Sequence, residues 1–510
     1  MGRARPPLLL VSAPIAALFA APLTYLLLRS ASDLRAFWAT AASAAALGPL
    51  LRSLLLAATV AAAAAGVGTA AAWIVVRTDV PLARVWRVLL PLPLVIPSFI
   101  GAFVMLAAFA PGGLVEAALN PLGVERIATV DGFAGSFVVL TLFTYPYVYL
   151  PVSARLRQLP SSFEESARLL GRRPFTTFFE VVLPQARGAI LAGSLLVFLY
   201  VVSDFGVVQL MRYDTLTRAI YSTRLIDRTT SVSLSLLLGV VAIAVVALER
   251  TFTKGLRGAD VRRGARPLVI VLGKWKSPTL ASMALLVGLA LAAPVGVLVW
   301  WSTRGVFRGS TPAADFVADI EDLLGPLANT SLASIGAAIV AVTVVVPVVY
   351  LTVRYRSRIG GIANGVVVGG FALPGLAIAL ALVYWTIDAP RYVSAFYQTL
   401  PLLLLAYVVH FGAQAMRTSQ VALSSVPRAM EDAAQVLGVS RVGRFLRVEL
   451  PLMMPGLLAG AGLVLLSTMK ELPATLLLAP IGFQTLAVRI WTATESAFFA
   501  EASLASLALI

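Results

Sequence analysis

Leu159-Pro-Ser-Ser-Phe-Glu-Glu-Ser-Ala-Arg-Leu-Leu-Gly171 is matched without a gap by Val426-Pro-Arg-Ala-Met-Glu-Asp-Ala-Ala-Gln-Val-Leu-Gly438, 267 residues further along the chain. The register holds beyond this segment. Val181-Val-Leu-Pro184 falls on Val448-Glu-Leu-Pro451, and Leu191-Ala-Gly193 falls on Leu458-Ala-Gly460. Thr215-Leu-Thr-Arg-Ala-Ile-Tyr221 then meets Thr485-Leu-Ala-Val-Arg-Ile-Trp491 at an offset of 270, so short insertions separate otherwise equivalent elements. Self-similarity carried this far at one spacing marks a structural unit written twice.

The unit is membranous. Of 510 residues, 59% are hydrophobic and 13% charged, too apolar for a soluble domain of this size. Apolar stretches of about 20 residues, the length that crosses a bilayer core as a helix, recur throughout. They lie near 8–28, 53–76, 88–110, 133–154, 185–208, 231–248, 279–301, 328–351, 362–386, 397–416 and 452–469. A twelfth begins near Ser503 and meets the end of the sequence at Ile510, so the last helix is expected to be incomplete or foreshortened. The first stretch follows Arg3 and Arg5 but has no polar cleavage region, which predicts a retained helix rather than a signal peptide.

The expected fold class is therefore all-α: a polytopic transmembrane protein of two parallel six-helix repeats about an axis along the membrane normal, with a pathway at their interface. The first repeat is expected over 1–253 and the second over 279–510. Between them, 254–278 carries Lys254, Arg257, Arg262, Arg263, Arg266, Lys274 and Lys276, the densest basic run in the chain, and reads as a cytoplasmic linker. Lys and Arg otherwise gather on the loops that share a side with the N-terminus, which places that terminus in the cytoplasm. The formal charge of +16 is thus topological, and no nucleic-acid partner is implied. With no cysteine and one histidine, the chain is expected to hold no metal, disulfide or cofactor.

The doubled segment has one pattern: acidic, small, Ala, then Gly, then an aliphatic residue before Leu-Pro. It occurs as Glu165-Ser166-Ala167, Gly171 and Val181 to Pro184, and as Asp432-Ala433-Ala434, Gly438 and Val448 to Pro451. Each copy reads as a short helix and a stop. Ser161 with Glu164 suits a capping box, Pro427 suits the first turn of the second copy, and Gly171 and Gly438 suit a left-handed helix end. The pattern resembles the EAA loop of binding-protein-dependent ATP-binding-cassette permeases, in the fold of type I importers. The resemblance implies an inner-membrane permease whose loops dock ATPase subunits through Glu164, Glu165, Ala167, Gly171, Glu431, Asp432, Ala434 and Gly438, with an extracytoplasmic solute-binding protein as second partner. The similarity of the two loops implies an ATPase homodimer. An amphipathic helix bound to anionic lipid through Arg168, Arg172, Arg173, Arg441, Arg444 and Arg447 is the competing reading.

Ser203-Asp204-Phe205-Gly206, Arg212-Tyr213-Asp214-Thr215 and Met469-Lys470-Glu471-Leu472-Pro473-Ala474-Thr475 resemble the ferric-iron permeases of that class, which share the fused two-half form. Permeases for thiamine, polyamines or phosphonates are built from similar units and stand as alternatives. Asp204 and Glu471 occupy equivalent repeat positions beyond Pro184 and Pro451. Ionisable groups in a membrane usually face a cavity, so Asp204, Lys470 and Glu471 are candidate pathway residues. Capping a helix end, or pairing with Lys470 or Arg218, would explain the two acids equally well. His410 reads as a packed residue, and Tyr145 and Tyr149, which share a helical face about Pro146, read as packing residues with a place on the pathway as the alternative. No Gly-x-x-x-x-Gly-Lys-Ser/Thr loop occurs, so the chain is not expected to be an enzyme and ATP hydrolysis falls to a separate subunit. A secondary transporter would need no doubled docking loop, and no convergent catalytic constellation suggests a membrane enzyme.

Overall fold

A computed structural model describes residues 6–123, 130–160, 162–254, 269–307 and 320–510. These residues form helices and turns, with one isolated parallel bridge between Thr78 and Ile270. Ser161 and most of the basic linker lie outside the described residues. Among the described residues, ten helices are long and apolar enough to cross a bilayer. A further pair, Arg358–Gly370 and Gly375–Asp388, is bent by 107°.

The elements that position the site fall into two matching sets. In the first half they are α1 (Pro6–Ser32), α2 (Ala44–Arg77), α3 (Ser98–Phe109), α4 (Pro146–Gln158), α5 (Ser162–Leu169), α6 (Leu183–Ser203), α7 (Gly206–Leu210) and α8 (Arg228–Lys254). Their counterparts are α9 (Ala293–Phe307), α10 (Leu324–Val353), α11 (Gly375–Asp388), α12 (Leu400–Ser425), α13 (Arg428–Val436), α14 (Leu450–Met469), α15 (Pro473–Leu478) and α16 (Phe499–Leu509).

Two expected spans are broken, at corresponding places. The stretch expected over 88–110 is interrupted by Pro91, Pro93 and Pro97, and the crossing helix begins only at Ser98. Ile96 is extended (φ −77°, ψ 120°), the conformation forced on a residue before proline. In the second half Pro374 takes the same role, and the stretch over 362–386 is the bent pair. Pro97 and Pro374 sit at the N-caps of α3 and α11 with nearly identical dihedrals (−58°, 141° and −59°, 140°). Leu-Pro leaves a second repeated mark. A proline inside a helix removes one backbone donor and crowds the carbonyl four residues back, and a single wider turn relieves both. Such π-helical turns occur at Phe178–Val182 and Phe445–Glu449, immediately before Leu183-Pro184 and Leu450-Pro451.

The halves interlace. Phe19 of α1 packs against Gly412 of α12, where a Cβ would meet the ring at 2.5 Å. Phe499 of α16 lies 5.0 Å from Trp301 of α9 and 6.1 Å from Phe103 of α3, ring centre to ring centre. Phe205 and Trp491 meet across the same boundary at 5.4 Å. The expected final helix is the 11-residue α16.

Candidate functional site: two coupling ends and a shared cavity

Helices α5 and α13 close as their glycines suggested. Gly171 and Gly438 take φ of +80° and +73°, the left-handed region that glycine enters without steric cost. The N–H of Arg172 donates to the Ala167 carbonyl and that of Val439 to the Ala434 carbonyl, each at 3.1 Å, the six-to-one bond of a Schellman ending. Pro427 stands one residue earlier than expected, at the N-cap of α13.

Helical periodicity divides the expected docking residues into two faces. Glu164, Ala167 and Ala434 are buried within the chain, and Glu431 is largely so. Glu165, Gly171, Asp432 and Gly438 are exposed. Ala167 and Ala434 face the chain's own interior, because positions three apart share a face and Glu164 and Glu431 turn that face inward. The outward face instead carries Leu169 and Leu170, answered by Val436 and Leu437, all almost fully exposed. Sequence reading passed over these apolar pairs, although the 267-residue register aligns them.

The inward glutamates each hold an arginine. Arg77, the last residue of α2, places Nη1 2.9 Å from Glu164 Oε1 and donates from Nη2 to the carbonyls of Leu156 (2.8 Å) and Leu159 (3.3 Å). The two side chains are 0% and 4% exposed. One guanidinium therefore ties the end of α2, the end of α4 and the short helix α5. Arg354, just beyond α10, repeats the tie: it pairs with Glu431 and donates to the Val426 carbonyl at 2.9 Å. Neither arginine was singled out from the sequence, since each acts on residues more than 70 positions away.

The chain returning from the linker is stitched beside Arg77. Ile270 N–H donates to the Arg77 carbonyl (2.8 Å) and Asp79 N–H to the Ile270 carbonyl (3.1 Å). The Asp79 carboxylate accepts from Leu272 N–H (2.8 Å) and pairs with Lys276 (3.0 Å). The Leu272 amide, with help from Lys276, holds the Asp79 carboxyl below the usual aspartate range.

At the other end of α6 and α14 lies a cavity of about 500 Å³ between the halves. Asp204, Lys470 and Glu471 all line it, as do His410, Ser98, Tyr147, Tyr200, Gln414 and Ser467. Both acids also cap the short helices that follow them. Asp204 accepts from Val207 N–H (2.9 Å) and the Ser98 hydroxyl (2.6 Å), and Glu471 accepts from Ala474 N–H (3.2 Å). Where Ser98 reaches the shorter Asp204, its counterpart is Gly375, whose missing Cβ makes room for the longer Glu471: a Cβ there would fall 2.6 Å from Oε1. Lys470 donates to the Leu94 carbonyl of the other half at 2.9 Å, and Arg218 pairs with Asp214. Tyr145 and Tyr149 are buried in packing, Tyr145 donating to the Leu90 carbonyl (2.8 Å). The tyrosines at the cavity are Tyr147 and Tyr200, which sequence reading missed.

Two interlaced copies of one helical unit, with a cavity between them and a matched pair of short, partly exposed helices at the opposite end, define a membrane permease for solutes. Residues 62–257 and 345–510 match the family described as binding-protein-dependent transport system inner membrane component, and the chain belongs to that family. It is a multi-pass inner-membrane permease of ATP-binding-cassette importers, a transport family and not a catalytic one. Its relatives include an Fe(3+)-transport system permease protein, FbpB 2, of Haemophilus influenzae, 30% identical over 90% of this chain and 87% of the relative. A molybdenum transport system permease, ModB, of Mycobacterium tuberculosis is 32% identical over 41% of this chain and 81% of its own length. A sulfate transport system permease, CysT, of Synechocystis is 27% identical over 37% and 66%.

Proposed function

We propose that the chain is a two-half channel for ferric iron delivered by an extracytoplasmic binding protein. The observation that carries the substrate is the likeness to the ferric permease of Haemophilus influenzae, which runs through both halves rather than one. Residues 1–253 and 279–510 form the two permease units and 254–278 the linker between them. The N-terminus and the coupling ends face the cytoplasm, in keeping with the basic linker returning beside Arg77.

On this reading an ATPase subunit seats on each coupling helix, against Leu169 and Leu170 or Val436 and Leu437, with Glu165 and Asp432 at the rim. The likeness of the two surfaces supports a homodimer. Glu164 and Glu431 transmit rather than dock: through Arg77 and Arg354, a displaced coupling helix pulls the ends of the adjoining spans with it. Asp204, Lys470 and Glu471 line the solute path.

Reconstitution with the ATPase and binding protein of the same transport system tests the function. ATP-dependent uptake of labelled ferric iron that needs all three components is the expected result. Stimulated ATP hydrolysis without iron uptake would keep the importer and move the substrate to thiamine, a polyamine, a phosphonate or an oxyanion.

A further inference from the structure

The cavity walls come from equivalent positions of the two halves, yet they differ in kind. Phe143, Tyr147, Tyr200 and Ser203 of the first half stand where the second half has His410, Gln414, Ser467 and Lys470. The first wall is aromatic, with the Tyr147 and Tyr200 rings 5.7 Å apart, and its Tyr200, Ser98 and Asp204 are bonded in series. Tyr200 donates to Ser98 (3.0 Å), Ser98 to Asp204, and the other Asp204 oxygen accepts Val207 N–H.

The second wall keeps spare donors. Gln414 and Ser467 bond each other at 3.0 Å, which leaves one amide N–H of Gln414 over. Lys470 gives one of its three N–H groups to a neutral carbonyl, a weak partner for a charge held inside a membrane. His410 Nδ1 is buried with no hydrogen-bond partner among the described residues, and it donates in one imidazole tautomer and accepts in the other. Against these donors stands Glu471, with one oxygen occupied by Ala474 N–H. Among the described residues no group of three His, Cys, Asp or Glu side chains could hold a metal ion, so this wall is not shaped to strip and chelate one.

We infer that the second-half wall, made by Lys470, Gln414, Ser467 and His410, is where the solute is held, and that the solute presents acceptor oxygens. Those oxygens come either from a free oxyanion or from the oxygen ligands that surround a metal ion. The inference rests on reading this cavity as the solute path. A charged donor beside neutral donors on one side orients such a solute without enclosing it, which suits a step it must leave.

The test uses the full transporter in proteoliposomes, with Lys470→Met, the pair Gln414→Leu with Ser467→Ala, and the first-half pair Tyr147→Phe with Tyr200→Phe. Binding-protein-stimulated ATP hydrolysis reports assembly, and labelled ferric iron, molybdate, sulfate and spermidine are offered in parallel. Each second-half variant should lose at least about tenfold more uptake than the tyrosine pair, the factor expected for one hydrogen bond to a charged or buried group. If Lys470→Met fails to assemble, the Gln414 and Ser467 pair carries the comparison. Iron uptake without oxyanion uptake identifies the metal's oxygen ligands as the source. Oxyanion uptake without iron uptake upholds this inference and overturns the iron reading. Equal losses on both walls, spermidine uptake, or no uptake of iron, molybdate and sulfate alike would overturn the inference, and equal losses with iron uptake intact would leave the iron reading standing.

Discussion

The two coupling ends use one arrangement in two solvents. Around Arg77 and Glu164 the pair is dry, with side chains 0% and 4% exposed, and the returning linker closes over the backbone beside it. Around Arg354 and Glu431 the side chains are 11% and 13% exposed, and further charges crowd in: Arg444 Nε lies 2.7 Å from Glu449 Oε1, and Tyr350 donates to the same carboxylate. Burial pushes the Glu431 carboxyl above the usual glutamate range, Arg354 pulls it back, and Glu449 adds to the rise. A dry pair is held by contacts within the protein alone, whereas a wetter cluster has water and neighbouring charges to fall back on. The first coupling end should therefore be the stiffer of the two.

The largest test of that difference is to remove the arginines. Arg77→Met removes the charge paired with a buried carboxylate and should cost about 3–5 kcal/mol, abolishing uptake. Arg354→Met should cost about 1–2 kcal/mol, between the buried and exposed limits. Thermal unfolding in detergent compares them, and equal losses would break the contrast. The sign of the pH response sharpens it. With Arg354 gone, Glu431 is an acid whose folded pKa lies further above its unfolded value, so the destabilisation is full at higher pH and fades as pH falls through the raised value. A penalty for Arg354→Met that stays flat into mild acid would contradict the burial of Glu431.

Next in size are Gly171→Val and Gly438→Val. No atom lies within 4 Å of a Cβ built at either glycine, so the cost is left-handed strain alone, about 1–2 kcal/mol for any L-residue. Both should uncouple uptake from ATP hydrolysis to a similar extent; unchanged transport in both variants would remove these helices from coupling. The smallest effect belongs to Asp79→Asn, which loses the Lys276 pair but keeps an acceptor for Leu272 N–H. Faster amide exchange at Leu272 with near-normal uptake is expected. The depressed Asp79 carboxyl contributes through and above the ordinary aspartate range, and its contribution is lost only as pH falls below that range, so wild-type exchange at Leu272 should rise only in strong acid.

What could be read without coordinates was whatever one residue type or one periodicity decides locally. Glycine at 171 and 438 announces a positive φ because other residues pay a steric penalty there, and the spans announce themselves by length. The proline breaks at Pro97 and Pro374 were available in principle, but hydropathy averages over them and set 88–110 and 362–386 as unbroken. Arg77 and Arg354 gave no local sign, because a basic residue at a span's end is expected there for topology alone.

The amino-acid order by itself determined that this is one membrane-spanning unit written twice, that each copy ends a short exposed helix on glycine, and that two acids recur at one depth. Only the tertiary structure decided which face of each short helix turns inward, which arginine meets which glutamate, and that Tyr147 and Tyr200 rather than Tyr145 and Tyr149 reach the cavity. The reason is geometric. Backbone preferences and repeat registers act between neighbours along the chain, whereas a buried ion pair or a cavity wall is made by helices distant in sequence, whose relative rotation is set by packing.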